Sequence, residues 1–312
     1  MPQLSPNAQR VVDPVLTNIA QGFSHNAFVG GALFPRVNVP LRGGNIITFG
    51  RKDFMQYGNL LRTPGSNTPR VQFGYSGSTY ALADYSIEGQ VPYELMQEAQ
   101  NGPGIDAGAL GVYKAMNIIA LRLEIAQAAL ATNASLYGTP NKVTLSGGTQ
   151  WSSATGVPLD AVETAKDAVR AAIGKRANTV VMGAAVYKSV RTNPQVRDWL
   201  KYTSREATTP ELLAEMFGVD RVLIGDAIQA TDAGVFSDVW GKFCVVAYTE
   251  LGSLQNFGNP TFGYTYNLEG YPLAEVPYED RNAKSWLYPA TSCEAPVIAS
   301  ADAGYLISAA VA

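Results

Sequence analysis

The chain has 312 residues, 23 Lys and Arg against 26 Asp and Glu, a formal net charge of −3, and 46% hydrophobic, 10% aromatic and 16% charged residues. That length supports one large or two modest cores, and the mild acidity argues against a dedicated nucleic-acid binder, which carries a basic patch. So few charges on a folded, aromatic-rich chain point to a surface partly buried against other chains.

Residues 1 to about 40 read as an arm. Pro2, Pro6, Pro14, Pro35 and Pro40 interrupt them, Asp13 to Ala20 suits a short helix, and FVGGALFPRVNVP is a turn followed by an extended piece. The start has no apolar core of signal-peptide type, and no window reaches the ~18 apolar residues of a membrane span, so no membrane partner is expected. From Asn45 to about Met96, apolar and polar residues alternate in NIITFG, VQFGY and STYALADYSIEGQVPYELM, the pattern of antiparallel strands. Residues 51–70, rich in Gly, Pro, Asn and Arg, read as the tip of a long two-stranded excursion. Such a ribbon is marginal alone in water and needs a neighbouring chain to lie on.

The stretch from Asp106 to about Asn133 predicts one long helix. Ala109, Val112, Met116, Ile119, Leu123, Ala126 and Leu130 recur in steps of three and four, Asp106 can cap the first turn, and Gly138 with Pro140 end the run. At 1.5 Å per residue it spans roughly 40 Å and requires a partner surface along its length. Lys114, Asn117, Arg122, Glu124 and Gln127 are its polar members, with Lys114 and Arg122 expected on the solvated or inter-subunit side. Lys142 to Val157 reads as a Gly/Ser/Thr-rich connection. Beyond it, a helix over 160–173, a strand over 179–182, a helix over 184–191, a helix opened by Thr209-Pro210, and strands over 221–224 and 243–248 describe an α/β unit. The closing runs YPLAEVPYED, SWLYPA, CEAPVIAS and YLISAAV are strand-like, with prolines at their edges. They are expected to fold back onto the long helix.

No constellation for catalysis is legible. His25 is the one histidine and no nucleophile elbow accompanies it. Cys244 and Cys293 are too isolated for a zinc ribbon or a disulfide framework. Gly43-Gly44 and Gly147-Gly148 lack phosphate-loop spacing and read as turns. Glu279-Asp280 beside Arg281, and Glu94 with Glu98, read as solvated or inter-subunit charges in preference to paired acid and base. No catalytic residue, cofactor or metal is expected.

This order of parts, with ANTVVMGAAVYKSVRTNPQVRDWLKYT from Ala177, TPELLAEMFGVDRVLIGDAI from Thr209, APVIASADAGYLISAAV from Ala295 and ALFPRVNVP from Ala32, resembles the major capsid proteins of tailed double-stranded DNA bacteriophages. Their α+β fold is of the Hong Kong ninety-seven type, shared with encapsulins and herpesvirus capsids. The resemblance implies an N-terminal arm over 1–44, an extended E-loop over 45–88, a P-domain over 89–150 and 270–312 with its spine helix at about 106–133, and an A-domain over 151–269. It implies a structural protein that assembles with itself as hexamers and pentamers into an icosahedral shell around double-stranded DNA held without sequence-specific binding. The implied setting is the virion, and the host cytoplasm during assembly. Further implied partners are a scaffolding protein and a portal, with a decoration protein in some members; a start almost at the arm implies either a separate scaffolding chain or a sequence already trimmed, and Met1 favours the separate chain.

Phe28 and Phe34 in the arm, and Phe54, Tyr57 and Leu60 in the loop tip, are the candidate intersubunit anchors. Some members join a loop lysine to a neighbour's asparagine, and Lys52 is the one lysine of the loop here. The alternatives are an encapsulin-type compartment shell, recognised by co-purifying cargo, and a hydrolase using His25 or the Glu279/Asp280 pair.

Overall fold

The computed structural model describes residues 12–21, 28–45, 79–101, 106–200, 208–230, 234–250 and 261–312. The arm contributes helices α1 (Pro14–Gln21) and α2 (Gly30–Leu33) and strand β1 (Arg36–Val39). Strands β2 (Gly43–Asn45) and β3 (Thr79–Ala81) form an antiparallel pair, the base of the predicted excursion. Strand β4 (Ala83–Pro92) leads into α3 (Tyr93–Asn101) and then α4 (Ala107–Ala131), the long helix. Asp106 caps α4 as expected, its carboxylate accepting the N–H groups of Gly108 and Ala109 at 3.0 and 3.1 Å. The strand expected to reach Met96 stops at Pro92, which has no N–H to extend the ladder, and the next residue opens α3.

Strand β5 (Lys142–Thr144), helix α5 (Pro158–Ile173), strand β6 (Thr179–Gly183), helices α6 (Ala184–Thr192), α7 (Pro194–Leu200) and α8 (Pro210–Phe217), and strand β7 (Arg221–Gly225) follow. Helices α5 and α8 start at prolines and stop at left-handed glycines, Gly174 at φ 71° and Gly218 at φ 59°, where a side chain would be strained. A hairpin of β8 (Ile228–Ala230) and β9 (Phe236–Asp238), absent from the sequence-based expectation, precedes β10 (Cys244–Ala247). The chain closes with β11 (Gly263–Leu268), β12 (Leu273–Ala274), β13 (Tyr278–Asp280), β14 (Ser285–Ile298) and β15 (Gly304–Ser308).

These strands make two principal sheets. The first is organised on β14, which pairs antiparallel with β4 along one edge and with β13, β12 and β11 in succession along the other; β1 adds parallel to β11. The two runs expected to break at prolines are thus one strand. The Pro289 carbonyl accepts the Glu275 N–H at 3.1 Å, so its ring nitrogen, which has no donor, faces the gap between β12 and β13, where the ladder is interrupted in any case. The second sheet has the order β5-β15-β10-β6-β7, with β6 and β7 parallel and β10 antiparallel to both its neighbours. The return to the long helix therefore holds for β14, while the last strand, β15, belongs to the second sheet. The stretch 142–157 supplies a strand of that sheet and the buried Trp151, whose carbonyl accepts from the Asn193 amide at 3.1 Å.

Helix α4 crosses β4 and β14, and it serves two cores. Val112, Ala115, Met116 and Ile119 pack with Val91, Tyr288 and Ala290 of the first sheet and with Leu16 and Ala20 of α1. Ala128 and Ala131, at its far end, belong to the core of the second sheet together with Val180, Val245, Leu306 and the arm's Leu33 and Phe34. Full burial of each large aliphatic side chain contributes about 1.5–3 kcal/mol. At the crossing, Gly89 of β4 lies against the Gly111 backbone of α4 so closely that a Cβ at position 89 would collide with it.

Candidate assembly interface

The arm is fixed to the rest of the chain by two polar side chains of α4. Glu124 is 2% exposed, and its carboxylate accepts the backbone N–H groups of Val29 at 3.0 Å and of Gly30 at 2.9 and 3.1 Å, and the Trp240 indole N–H at 2.7 Å. Burial pushes its carboxyl above the ordinary range, and the three donors oppose that shift. One turn on, the Gln127 amide donates to Thr265 Oγ1 at 2.9 Å, and the Thr265 hydroxyl donates to the Phe34 carbonyl at 3.1 Å. Sequence reasoning took Glu124 and Gln127 for unremarkable polar members of the helix. The missed signal is their register: Gln127 follows Leu123 by one turn, and Glu124 stands one turn before Gln127 and Ala128, on the face that is buried at this end of the helix.

Of the expected intersubunit anchors, Phe28 is half-buried at the entry to α2. Phe34 is corrected: it is 0% exposed, with its ring 5.4 Å from that of Phe262, so its apolar surface is already consumed within its own chain. Lys52, Phe54, Tyr57 and Leu60 lie outside the described residues. At the base of the loop, Arg42 pairs with Asp84 at 2.6 Å and the Tyr80 ring stacks on Tyr266 at 4.5 Å, holding the ribbon's root against the first sheet. Arg122, expected on a solvated or inter-subunit side, instead lies over the Tyr85 ring, its guanidinium carbon 3.0 Å from the ring centre.

Surfaces left for other chains lie elsewhere. Leu110, Tyr113 and Ile118 stand exposed on the side of α4 away from both sheets, and Leu95 is exposed on the neighbouring α3. They were legible as apolar residues off the stripe; a long helix that is apolar on more than one side has more than one surface to cover. A second exposed group, Ile228 and Phe236, sits on the β8–β9 hairpin.

The Tyr93 hydroxyl donates to Glu279 at 2.5 Å, Arg281 lies 3.6 Å from the same carboxylate, and Glu94 and Glu98 are exposed. Cys244 is fully buried, and burial pushes its thiol up to about 12, which leaves it protonated. Among the described residues no group of His, Cys, Asp and Glu is arranged to hold a metal, and no helix is long and apolar enough to cross a membrane. His25 lies outside the described residues.

Residues 127–309 match the family described as Phage major capsid protein E. Along its length the chain is 35% identical, over 303 residues that span 96% of each protein, to the major capsid protein of Burkholderia phage BcepMu. The crystal structure of a phage-related protein from Bordetella bronchiseptica RB50 superposes with a TM-score of 0.82 at 38% identity, covering 96% of this chain and 98% of that one. The capsid of cyanophage P-SCSP1u superposes with a TM-score of 0.59 at 10% identity, over 98% of this chain and 92% of that one, a likeness of fold alone. Two sheets bridged by one long helix, in a sequence this close to a phage shell subunit from end to end, make the chain a member of the phage major capsid protein family, with its Hong Kong ninety-seven type fold.

Proposed function

We propose that this chain forms an icosahedral virion shell as hexamers and pentamers around double-stranded DNA, acting as a structural protein without catalysis of its own. The reading rests above all on the end-to-end similarity to a phage major capsid protein, which also favours it over the encapsulin alternative. Large apolar side chains left exposed on the described subunit, Leu110 and Ile118 among them, support it as surface to be covered by other copies.

In this reading the arm is 1–44, the E-loop 45–88, the P-domain 89–150 with 270–312, and the A-domain 151–269. The E-loop crosses the P-domain of a neighbour, with Lys52, Phe54, Tyr57 and Leu60 as contacts and Phe28 as a contact of the arm. The part of the arm that carries Leu33 and Phe34 acts as an internal strap. Assembly takes place in the host cytoplasm with a scaffolding protein and a portal, and a decoration protein is a further candidate partner. The net charge of −3 suits a wall that confines DNA more than it binds it.

Expression of the full chain, alone and with the candidate scaffolding protein, followed by gel filtration and negative-stain electron microscopy, tests this. Closed particles or free hexamers and pentamers support the reading. A chain that stays monomeric at every concentration and salt, with and without the scaffold, overturns it.

A further inference from the structure

Beyond the core of the second sheet, two separate surfaces carry opposite charge and exposed apolar groups. The first is the β8–β9 hairpin, a two-stranded sheet joined to neither large sheet, with Ile228 52% and Phe236 69% exposed. Asp226 and Asp238 flank it, and the span 226–238 contains no Lys or Arg. A free two-stranded hairpin with a bulky apolar edge is marginal in water and gains by docking. The second surface is the α6–α7 pair, where Lys188 and Arg191 are exposed on α6, Arg197 and Asp198 on α7 with Trp199, itself 42% exposed, leaving an excess of positive charge. Among the described residues Asp226, Asp238, Lys188, Arg191 and Arg197 are in no ion pair.

We infer that the β8–β9 hairpin of one copy docks on the α6–α7 surface of the next, setting Phe236 against Trp199 and the two aspartates against the three cations. The inference rests on the self-assembly proposed above and names the contact that carries it. The second copy is the partner because this same chain bears both halves of the charge complement. Two unlike patches make the contact head-to-tail, and repetition of a head-to-tail contact closes a ring when the rotation allows, as a hexamer or pentamer requires. Opposite charges select this register, while the apolar pair supplies contact area at its centre.

The test is cysteine trapping in the full chain. Assembled material from a mixture of Phe236→Cys and Trp199→Cys subunits is oxidised, and Cys244 and Cys293, both fully buried, give little background. A covalent dimer that requires both variants is the expected result, and the double variant gives a ladder that ends at the ring size. Charge reversal provides the second measurement. Asp226→Lys with Asp238→Lys, or Lys188→Glu with Arg191→Glu and Arg197→Glu, raises the concentration needed for assembly by about a hundredfold, and mixing the two reversed chains restores it. Assembled particles that never cross-link and tolerate both reversals overturn the docking and leave the shell reading standing. Subunits that never associate overturn the shell reading itself.

Discussion

The Trp240 indole N–H donates to Glu124 Oε1 across 2.7 Å, with both side chains withdrawn from solvent. Three pieces of chain far apart in sequence meet at that carboxylate: the arm at Val29 and Gly30, the long helix, and the loop between the hairpin and β10. Among the described residues no cation pairs with it, so its charge is held by N–H dipoles alone. Replacing Trp240 by Phe keeps most of the packing and deletes one donor to a buried charge, a loss of about 1.5–3 kcal/mol. Equilibrium urea unfolding of unassembled subunits should show a lower midpoint at unchanged slope. An unchanged midpoint would mean that Glu124 is satisfied without the indole.

Two adjacent glycines give a paired control for the same junction. A Cβ on Gly30 would collide with the Gln127 side-chain oxygen and press on Glu124, whereas one on Gly31 meets nothing within 4 Å. Gly30→Ala should therefore destabilise the subunit by about 1–3 kcal/mol, the usual cost of overpacking. Gly31→Ala, in the same short helix, should be neutral or stabilising by up to about 1 kcal/mol. Equal effects at the two positions would refute the close approach of α2 to α4.

The long helix and the succession of strands and helices after it were legible because period and punctuation agree there. Asp106 caps and Pro210 opens the helices assigned to them, and the helix read over 160–173 lies within two residues of Pro158–Ile173. What composition hid was pairing at a distance. Nothing local in Arg36–Val39 says that it adds parallel to Gly263–Leu268, nor in Gly304–Ser308 that it leaves the first sheet for the second. Phe34 was misassigned for the same reason: an aromatic residue in a proline-broken arm looks unpartnered until Phe262, more than two hundred residues away, is placed beside it.

Glu294 is 1% exposed, and neither carboxylate oxygen has a hydrogen-bond partner among the described residues. Arg36 lies 3.5 Å away, the neighbouring Ser292 hydroxyl approaches the carboxylate without forming a well-aligned hydrogen bond, and Arg122 is the other cation acting on it; all three favour its charged form, but burial outweighs them and pushes the carboxyl above its ordinary value near 4.5. With the folded value raised, the native state holds its proton where the unfolded chain has lost it. The contribution of Glu294 to stability is thus complete below pH 4.5 and falls away as pH rises through the raised folded value. Glu294→Gln removes the penalty of a buried charge. Its urea midpoint should exceed that of the parent at pH 8, with the difference shrinking toward pH 4. A variant less stable than the parent at pH 8 would show instead that the attraction of Arg36 and Arg122 prevails.

The exposed side of α4 separates folding from assembly. Leu110 and Ile118 contribute little to the subunit's own cores, being about half exposed, so Leu110→Asn with Ile118→Asn should shift subunit stability by no more than about 1 kcal/mol. In a shell-forming family the same side chains have somewhere else to go. If another copy covers them, the double variant buries polar amides without partners and the contact weakens, because an unpaired buried polar group costs about 1–3 kcal/mol. Gel filtration and negative-stain microscopy at matched concentration should then show folded subunits with few or no closed particles. Particles formed in normal yield would leave this face of the helix in solvent and assign cohesion to the loop and hairpin contacts alone.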